Sequence, residues 1–163
     1  GSRETSESIK ELWEQRERLY PRLSAHPAAS DIHRLNLLTE KGIPLLNAML
    51  SAFYSQRTAA PDQKKAEEEK RHKIQQYFAV RFADLKAQTG LDDSELASAL
   101  TALFFDVSGY TKSQATMHLM EKILAEAITA LSKDLETFHG IVDSREGKAI
   151  FDGEIARNGI LSL

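Results

Sequence analysis

The chain has 163 residues, of which 42% are hydrophobic and 28% are charged, and its formal net charge at pH 7 is -3. A chain of this length can bury a core without disulfides or a metal, and the lack of cysteine excludes a disulfide framework, a thiol nucleophile and a thiolate zinc site. The nearly balanced charge gives no global attraction to nucleic acid or to an anionic membrane.

The apolar runs of the sequence are far shorter than the roughly 20 residues that a membrane-spanning helix requires. We therefore expect no membrane segment, and the cytoplasm is the compartment expected for such a chain. The opening Gly1-Ser2 is typical of the remnant of a cleaved expression tag. The sequence is expected to form one helical domain over residues 1–163, which can be part of a longer protein.

Helix-forming residues dominate between scarce glycines and prolines, which predicts an all-α fold. A first helix is predicted to start near Ser6 or Ser8, where Ser8 and Glu11 have the spacing of a capping box, and to carry one apolar stripe: Ile9, Leu12, Trp13, Leu19 and Tyr20. Asp31 is expected to cap a short second helix that ends at Gly42. Pro44 is expected to begin a third helix that runs to about Arg57 and is apolar nearly all round, which predicts deep burial.

Two capping signals define the middle of the chain. Asp62 is expected to cap a long fourth helix that ends at Gly90. Asp92 and Glu95 form a second capping box, which predicts a fifth helix that ends at Gly109.

A last long helix is predicted from about Thr111 to His139, with Gly140 as its stop. Residues 141–163 are expected to form an irregular tail with one short helical or extended piece, held by apolar side chains: Ile150, Phe151, Ile155, Ile160 and Leu161. Two long helices of similar length suit antiparallel packing. The predicted architecture is an elongated bundle of about six helices.

Two Glu-x-x-His pairs, Glu69 with His72 and Glu136 with His139, are the spacing found in di-metal helical bundles. The helix at 62–90 has an apolar stripe on one face: Ile74, Tyr77, Phe78, Phe82 and Leu85. At about 100° per residue, Glu69 and His72 fall on the opposite face, Glu136 falls away from the stripe of its own helix, and His139 lies near a stripe edge. No metal ligand is therefore predicted, and a di-metal carboxylate protein is kept as the second alternative function.

The first alternative function is a DNA-binding regulator, which would use the helix hairpin predicted over 92–122. The stretch ELASAL resembles the first helix of a helix-turn-helix motif, and polar side chains follow Gly109. The motif requires a tight turn where Thr101, Ala102 and Leu103 continue the helical stripe, and the balanced charge is also unfavourable. Nucleic acid is therefore not the expected partner.

Catalytic sequence patterns are missing, because the chain has no Gly-rich phosphate loop, no Gly-x-Ser-x-Gly and no His-Glu-x-x-His. No catalytic residue and no cofactor is predicted. The leading prediction is a non-catalytic interaction or adaptor module that binds a protein partner or a second copy of itself. Some apolar side chains fall outside the main stripes and are either buried by another layer, the outcome favoured for Phe105, or form the partner surface: Leu46, Leu50, Tyr54, Phe105 and Leu119.

Overall fold

The computed structural model describes residues 28–58, 60–107 and 114–151. Within these ranges all regular elements are helical: α1 (Ala28–Leu37), a π-helical segment (Leu38–Gly42), α2 (Ile43–Thr58), α3 (Lys64–Thr89), α4 (Asp93–Val107), α5 (Gln114–Lys133), α6 (Leu135–Val142) and α7 (Arg145–Phe151). The predicted all-α fold class is confirmed. The predicted first helix and residues 152–163 of the predicted tail lie outside the described residues.

The segment α1, the π-helical turn and α2 form one continuous helical rod, so the predicted helix end at Gly42 is wrong. Ile43 keeps helical dihedral angles and donates its N–H to Leu38 O, five residues back. Pro44 has no N–H, and its ring would clash with the preceding turn of a regular α-helix, so a wider π turn accommodates it. Gly42 is buried, and a Cβ there would lie 2.6 Å from Leu100 Cδ2. Its role is close packing rather than termination.

The predicted joint between α3 and α4 is confirmed. Gly90 adopts a left-handed conformation with φ 71° and donates its N–H to Lys86 O, which ends α3. Asp92 N–H donates to Glu95 Oε1 at 3.1 Å, and Glu95 N–H donates to Asp92 Oδ1 at 2.7 Å. This reciprocal pair is the expected capping box at the start of α4. The start of α3 differs, because Gln63 rather than Asp62 precedes its first residue and makes no side-chain cap.

Helix α4 is the centre of the core. Every side chain from Leu96 to Phe105 is buried, because α5, α2 and the π-helical segment pack around this helix. A second packing centre lies at Phe53 of α2, whose ring is 5.5 Å from the rings of both Phe138 and Phe151, measured between centroids. Edge-to-face contacts of this kind join α2 to α6 and α7.

Two contacts relate the direction of α3 to that of the stretch from Ser132 to His139, where α5 ends and α6 follows. Near the end of α3, Lys86 Nζ lies 3.3 Å from Ser132 Oγ at the end of α5. Closer to the start of α3, the ring of His72 lies 6.1 Å from the ring of His139 in α6. Residue numbers thus rise along α3 as they fall from His139 to Ser132, so this stretch runs antiparallel to α3. None of the described helices has the combination of length and apolar character that a membrane span needs.

The predicted single helix over 111–139 is wrong at its C-terminal end, because Asp134 interrupts it. Asp134 has an extended backbone, and its carboxylate accepts hydrogen bonds from Glu136 N–H and Thr137 Oγ1, each at 3.0 Å. It therefore caps the separate helix α6. Gly140 lies inside α6 and does not end it.

The first part of the predicted tail contains the short helical piece that the sequence indicates. Helix α7 begins after Ser144, whose Oγ accepts a hydrogen bond from Gly147 N–H at 3.0 Å. Ile150 and Phe151 are buried in the core. Gly147 is buried where α7 turns against the end of α6, and a Cβ there would lie 2.7 Å from Val142 O and still closer to Ile141 O.

A polar network joins α3, α4 and α5 at the surface of the core. Lys86 Nζ lies 2.7 Å from Asp93 Oδ1, and Thr129 Oγ1 donates to Asp93 Oδ2 at 2.9 Å. Burial alone raises the pKa of Asp93, but the hydrogen bonds from Lys86 and Thr129 and the charges of Lys86 and Lys133 outweigh it, so its pKa lies below the ordinary 3.8. The ionised carboxylate therefore stabilises the fold.

We expect Asp93→Asn to lower the free energy of unfolding at pH 7 by about 1–2 kcal/mol, because it removes a partly exposed charged hydrogen-bond partner. The contribution of a carboxylate with a lowered pKa is fully present above its unfolded pKa and is lost as the pH falls through its folded pKa. The difference between wild type and variant, measured by urea unfolding, should thus shrink as the pH falls below about 4. An equal difference at pH 7 and at the acid end of the series would contradict this role.

Gly147→Ala should destabilise the fold by about 2 kcal/mol or more, because the added methyl group overlaps backbone oxygens that cannot move freely. Gly140→Ala is the matched control, since a Cβ at Gly140 meets nothing within 4 Å. It should stabilise α6 by about 0.5–1 kcal/mol through the higher helix propensity of alanine. The midpoints of denaturant unfolding of both variants test this, and a stable Gly147→Ala protein would show that the corner tolerates a side chain.

Candidate partner-binding groove

The side chains that the sequence offers as a partner surface lie largely inside the fold. Leu46, Leu50 and Phe105 are only 1%, 0% and 7% exposed. Tyr54 and Leu119 are half-buried, and Leu119 packs against the core. The favoured outcome for Phe105, burial, is confirmed. Leu46, Leu50 and Phe105 therefore belong to the core, and a partner cannot reach them as a binding surface.

The physical reason for this burial is the number of helices that pack on α2 and α4. Helices α3, α4 and α7 all contact α2, so that its opposite apolar faces are both covered. Helix α7 lies in the segment predicted to be a mainly irregular tail, and a cover from that segment was not expected. The all-round apolarity of α2 thus reflects core packing and not a free face.

A groove of about 360 Å³ lies where the π-helical segment and α2 face α3. Apolar side chains from both sides line it: Pro44, Leu45, Ala48, Tyr77 and Leu85. Its polar lining has two acidic, two basic and one amide side chain: Glu40, Lys41, Arg81, Asp84 and Gln88. Lys41 Nζ donates to Gln88 Oε1 at 3.2 Å and so joins the two sides. The groove combines an apolar lining with charges of both signs.

Tyr77 and Val80 are the large hydrophobic side chains that stand exposed in the described part of the chain, at 48% and 55%. They lie three residues apart on α3, so they are neighbours on its surface. Tyr77 belongs to the groove, and the guanidinium carbon of Arg81 lies 3.6 Å from its ring centroid. Such a cation–π contact is worth about 0.5–1 kcal/mol at an exposed site. It holds the tyrosine ring in place at the wall of the groove.

The sequence does not reveal this surface, because Tyr77 lies within the apolar stripe that predicts the buried face of its helix. Phe78 and Phe82 do face the core, at 3% and 1% exposure, but Tyr77 is turned by about 100° from Phe78. The sequence signal for an exposed apolar face on this helix is Val80, which lies about 200° around the helix from Phe78. A single exposed apolar residue is common on protein surfaces, so the signal lies in Val80 together with the neighbouring Tyr77 on one side of a charged helix.

The residues of the two Glu-x-x-His pairs occupy the directions that the helix angles predict. Glu69, His72 and Glu136 are exposed, and His139 is half-buried. The structure brings the two histidines together, with ring centroids 6.1 Å apart, which the sequence did not predict. The described residues contain no group of three or more histidine, aspartate or glutamate side chains that could hold a metal ion.

His139 lies in a polar cluster between α3 and α6. Arg71 and Asp143 form an ion pair at 3.1 Å beside it, and Gln75, one turn further along α3, is completely buried. Neither amide atom of Gln75 nor Nδ1 of His139 has a hydrogen-bond partner among the described residues. Burial, the charge of Arg71 and a smaller effect of His72 lower the pKa of His139 to about 4, against the opposing charge of Asp143. The folded chain therefore holds His139 neutral at pH 7.

A second, more open depression of about 570 Å³ lies between the start of α4 and the helices α5 and α6. Two of its three carboxylates already serve the fold, since Asp92 caps α4 and Asp93 pairs with Lys86, and the third is Glu126. No exposed large hydrophobic side chain of the described chain lines it. Its chemistry is explained by helix capping and ion pairing, and it offers less to a partner than the groove at Tyr77.

Neither a protein-family model, nor a curated protein sequence, nor a solved structure matches this chain. Similarity to other proteins therefore assigns no role to any residue. Of the two depressions described above, the groove is the one whose lining includes an exposed large hydrophobic side chain, Tyr77.

The free energy of unfolding should fall as the pH is lowered from about 6.5 towards 4, because the unfolded chain binds a proton at His139 before the folded chain does. His139→Gln should remove this part of the pH dependence, which urea unfolding between pH 7.5 and pH 4 measures. The titration of His139 by NMR provides the control. A midpoint near the ordinary 6.5 would contradict the proposed burial effect.

Proposed function

We propose that this chain is a non-catalytic helical module, an adaptor that binds the amphipathic helix of a protein partner in the groove between the π-helical segment, α2 and α3. The observation that carries this proposal is the exposure of Tyr77 and Val80 beside an apolar-lined groove. Exposed large apolar side chains that adjoin a concave surface are typical of protein interaction sites.

The shape of the groove suits a helix better than a flat protein surface. Helical segments form both walls of the groove, and an amphipathic helix places side chains at i, i+3, i+4 and i+7 into a groove of this kind. The apolar lining supplies burial, and the tyrosine ring is an anchor of a kind often found at energetically important contacts. The mixed charges of Glu40, Lys41, Arg81 and Asp84 at the groove favour one orientation of the partner over others.

The side chains of the groove support binding rather than chemistry. Among its described lining residues the groove has no histidine, the residue type that most often acts as a general acid or base. His139 is neutral at pH 7, but it lies in the cluster with Arg71 and Asp143 and does not line the groove.

The DNA-binding alternative finds little support on the described part of the 92–122 hairpin. Helix α4 runs without a break through Thr101, Ala102 and Leu103, and these side chains are buried. Lys122 is the basic side chain of this region within the described residues, which also contain Glu95 and Glu121. Phosphate binding needs a cluster of basic side chains. The proposed setting remains a protein complex, in the cytoplasm.

Ala48→Glu tests the proposal, because Ala48 is exposed, lines the groove and tolerates a good helix former. A photo-crosslinking amino acid at position 48 of the full chain first captures and identifies the bound protein in cells. Ala48→Glu should then weaken binding of that purified protein by about tenfold or more, because it places a charge in an apolar contact.

Ala149→Glu is the matched control, since Ala149 is exposed on α7, a helix that contributes no residue to the groove. It should leave the affinity unchanged. Equal weakening by both variants would contradict a site in the groove. Crosslinks only to a second copy of the chain, with a doubled mass by light scattering, would replace the partner by self-association.

A further inference from the structure

The polar cluster between the first half of α3 and α6 is not used by the groove. We propose that His72, Gln75 and His139 bind one Zn²⁺ ion, with water as the fourth ligand, and that the ion joins α3 to α6. This inference goes beyond the proposed function and is independent of it, because the site and the groove share no residue.

The two imidazole rings lie at a separation that suits a shared metal ion. Their centroids are 6.1 Å apart, and the rings come from different helices. At a Zn–N distance of about 2.0–2.1 Å, zinc lies about 3.2 Å from the centroid of each ring that binds it, so two bound rings have centroids about 5–6.4 Å apart. The observed distance lies near the upper end of this range. Because His72 is exposed, a small rotation of its side chain brings the rings to the tetrahedral arrangement.

The third ligand is the side-chain amide of Gln75, which follows His72 by three residues and so lies on the same side of α3. Gln75 is completely buried, and neither of its amide atoms has a hydrogen-bond partner among the described residues. Nδ1 of His139 is also buried without a partner there. Buried polar atoms of this kind are costly to fold, and an ion is one of the groups that satisfy them. Zinc accepts a lone pair from Oε1 of Gln75 and from Nδ1 of His139.

The ligand set suits zinc better than a harder ion. Two imidazole nitrogens and one amide oxygen leave one position for water, and three protein ligands with one water are the arrangement of open zinc sites. Mg²⁺ and Ca²⁺ prefer a larger number of oxygen ligands. His139 is neutral at pH 7, so its imidazole binds an ion without first losing a proton. The third ligand is an amide, which is why the described residues show no metal-binding group made of histidine, aspartate and glutamate alone.

Charges of both signs surround the site, so the field on a bound cation is not purely repulsive. The positive charge of Arg71 is opposed by Asp143, with which it forms an ion pair at 3.1 Å. Glu69 and Glu136 are exposed, and each precedes a histidine ligand by three residues. Each carboxylate therefore lies on the same side of its helix as that histidine. The two Glu-x-x-His pairs thus supply one ligand and one negative charge each.

A zinc ion at this site holds α6 against α3. Helix α6 has only eight residues, and Asp134 separates it from α5. An ion that binds the folded arrangement and not the unfolded chain stabilises the fold increasingly as its concentration rises. The availability of zinc then sets how firmly α6 is attached to the rest of the bundle.

Calorimetric titration of the full chain with Zn²⁺ at pH 7.5, after treatment with a chelator, tests the site. We expect one ion per chain and a micromolar or tighter dissociation constant. His72→Ala should raise that constant about tenfold or more, because one of three protein ligands is lost. His118→Ala is the matched control, since His118 is equally exposed but lies on α5, outside the cluster. It should leave the constant unchanged.

Gln75→Leu distinguishes the proposed site from a simple pair of surface histidines. It should also raise the dissociation constant for zinc about tenfold, because the amide oxygen is lost. In the zinc-free protein the same variant should raise the urea midpoint, because an apolar side chain of similar size replaces an unpartnered buried amide. Zinc should raise the midpoint of the wild type but not that of His72→Ala. Circular dichroism shows that the variants keep their helices.

Four results would overturn the inference. The first is the lack of micromolar zinc binding by the wild type. The second is equal weakening by His72→Ala and His118→Ala, which would indicate non-specific binding to surface histidines. The third is a dissociation constant that Gln75→Leu leaves unchanged, because the amide would then not be a ligand. The fourth is a wild-type urea midpoint that does not rise with zinc, because the ion would then not join the two helices. None of these results bears on partner binding in the groove.

Discussion

The fold depends on the burial of the middle ten residues of one helix, α4. From Leu96 to Phe105, α4 presents no side chain to solvent, so every element around it has to supply an apolar face or a polar partner. Ser98 shows the second case, since its hydroxyl donates to Glu121 Oε1 of α5 at 2.8 Å. Gly42 shows how close the neighbours come, because it lets the helical rod approach Leu100 without an intervening side chain. The capping box and the Lys86–Asp93 ion pair fix the position of the N-terminus of α4.

This constraint also explains where a binding surface can remain. Helix α2 has a more apolar sequence than α3, but its large side chains pack in the core. Leu46 and Leu50 are therefore not available to a partner. The charged helix α3 has only one face against the bundle, so an apolar side chain on its other face has no internal use. Tyr77 and Val80 are such side chains. An apolar residue is informative for function where the surrounding sequence is polar, and much less so where everything is apolar.

Local sequence signals predicted the helices and several of their ends, because these depend on neighbouring residues alone. The capping box at Asp92 and the left-handed Gly90 are of this kind. The errors arose where tertiary context decides. Gly42 and Pro44 indicate a break, but burial of the rod against α4 keeps it helical through a π turn. Asp134 caps a new helix, but the helical spacing of apolar residues continues on both sides of it. The spacing therefore predicts one helix where the structure has two. The groove forms only where two helices that are distant in the sequence pack together, and no single stretch of sequence shows which helices do so.

The π-helical segment has a consequence for the groove beyond its accommodation of proline. A π turn is equivalent to an α turn with one extra residue, so it changes the rotational phase of everything that follows along the rod by about 100°. Pro44 and Ala48 follow that turn and face α3. In a regular α-helix with the same number of residues, the side chains after the turn would be rotated by about 100° and would leave the groove. The groove thus depends on the rotational phase of the rod as well as on its lining, and a one-residue deletion within Leu38–Gly42 would keep that phase only if the π turn became a regular α turn.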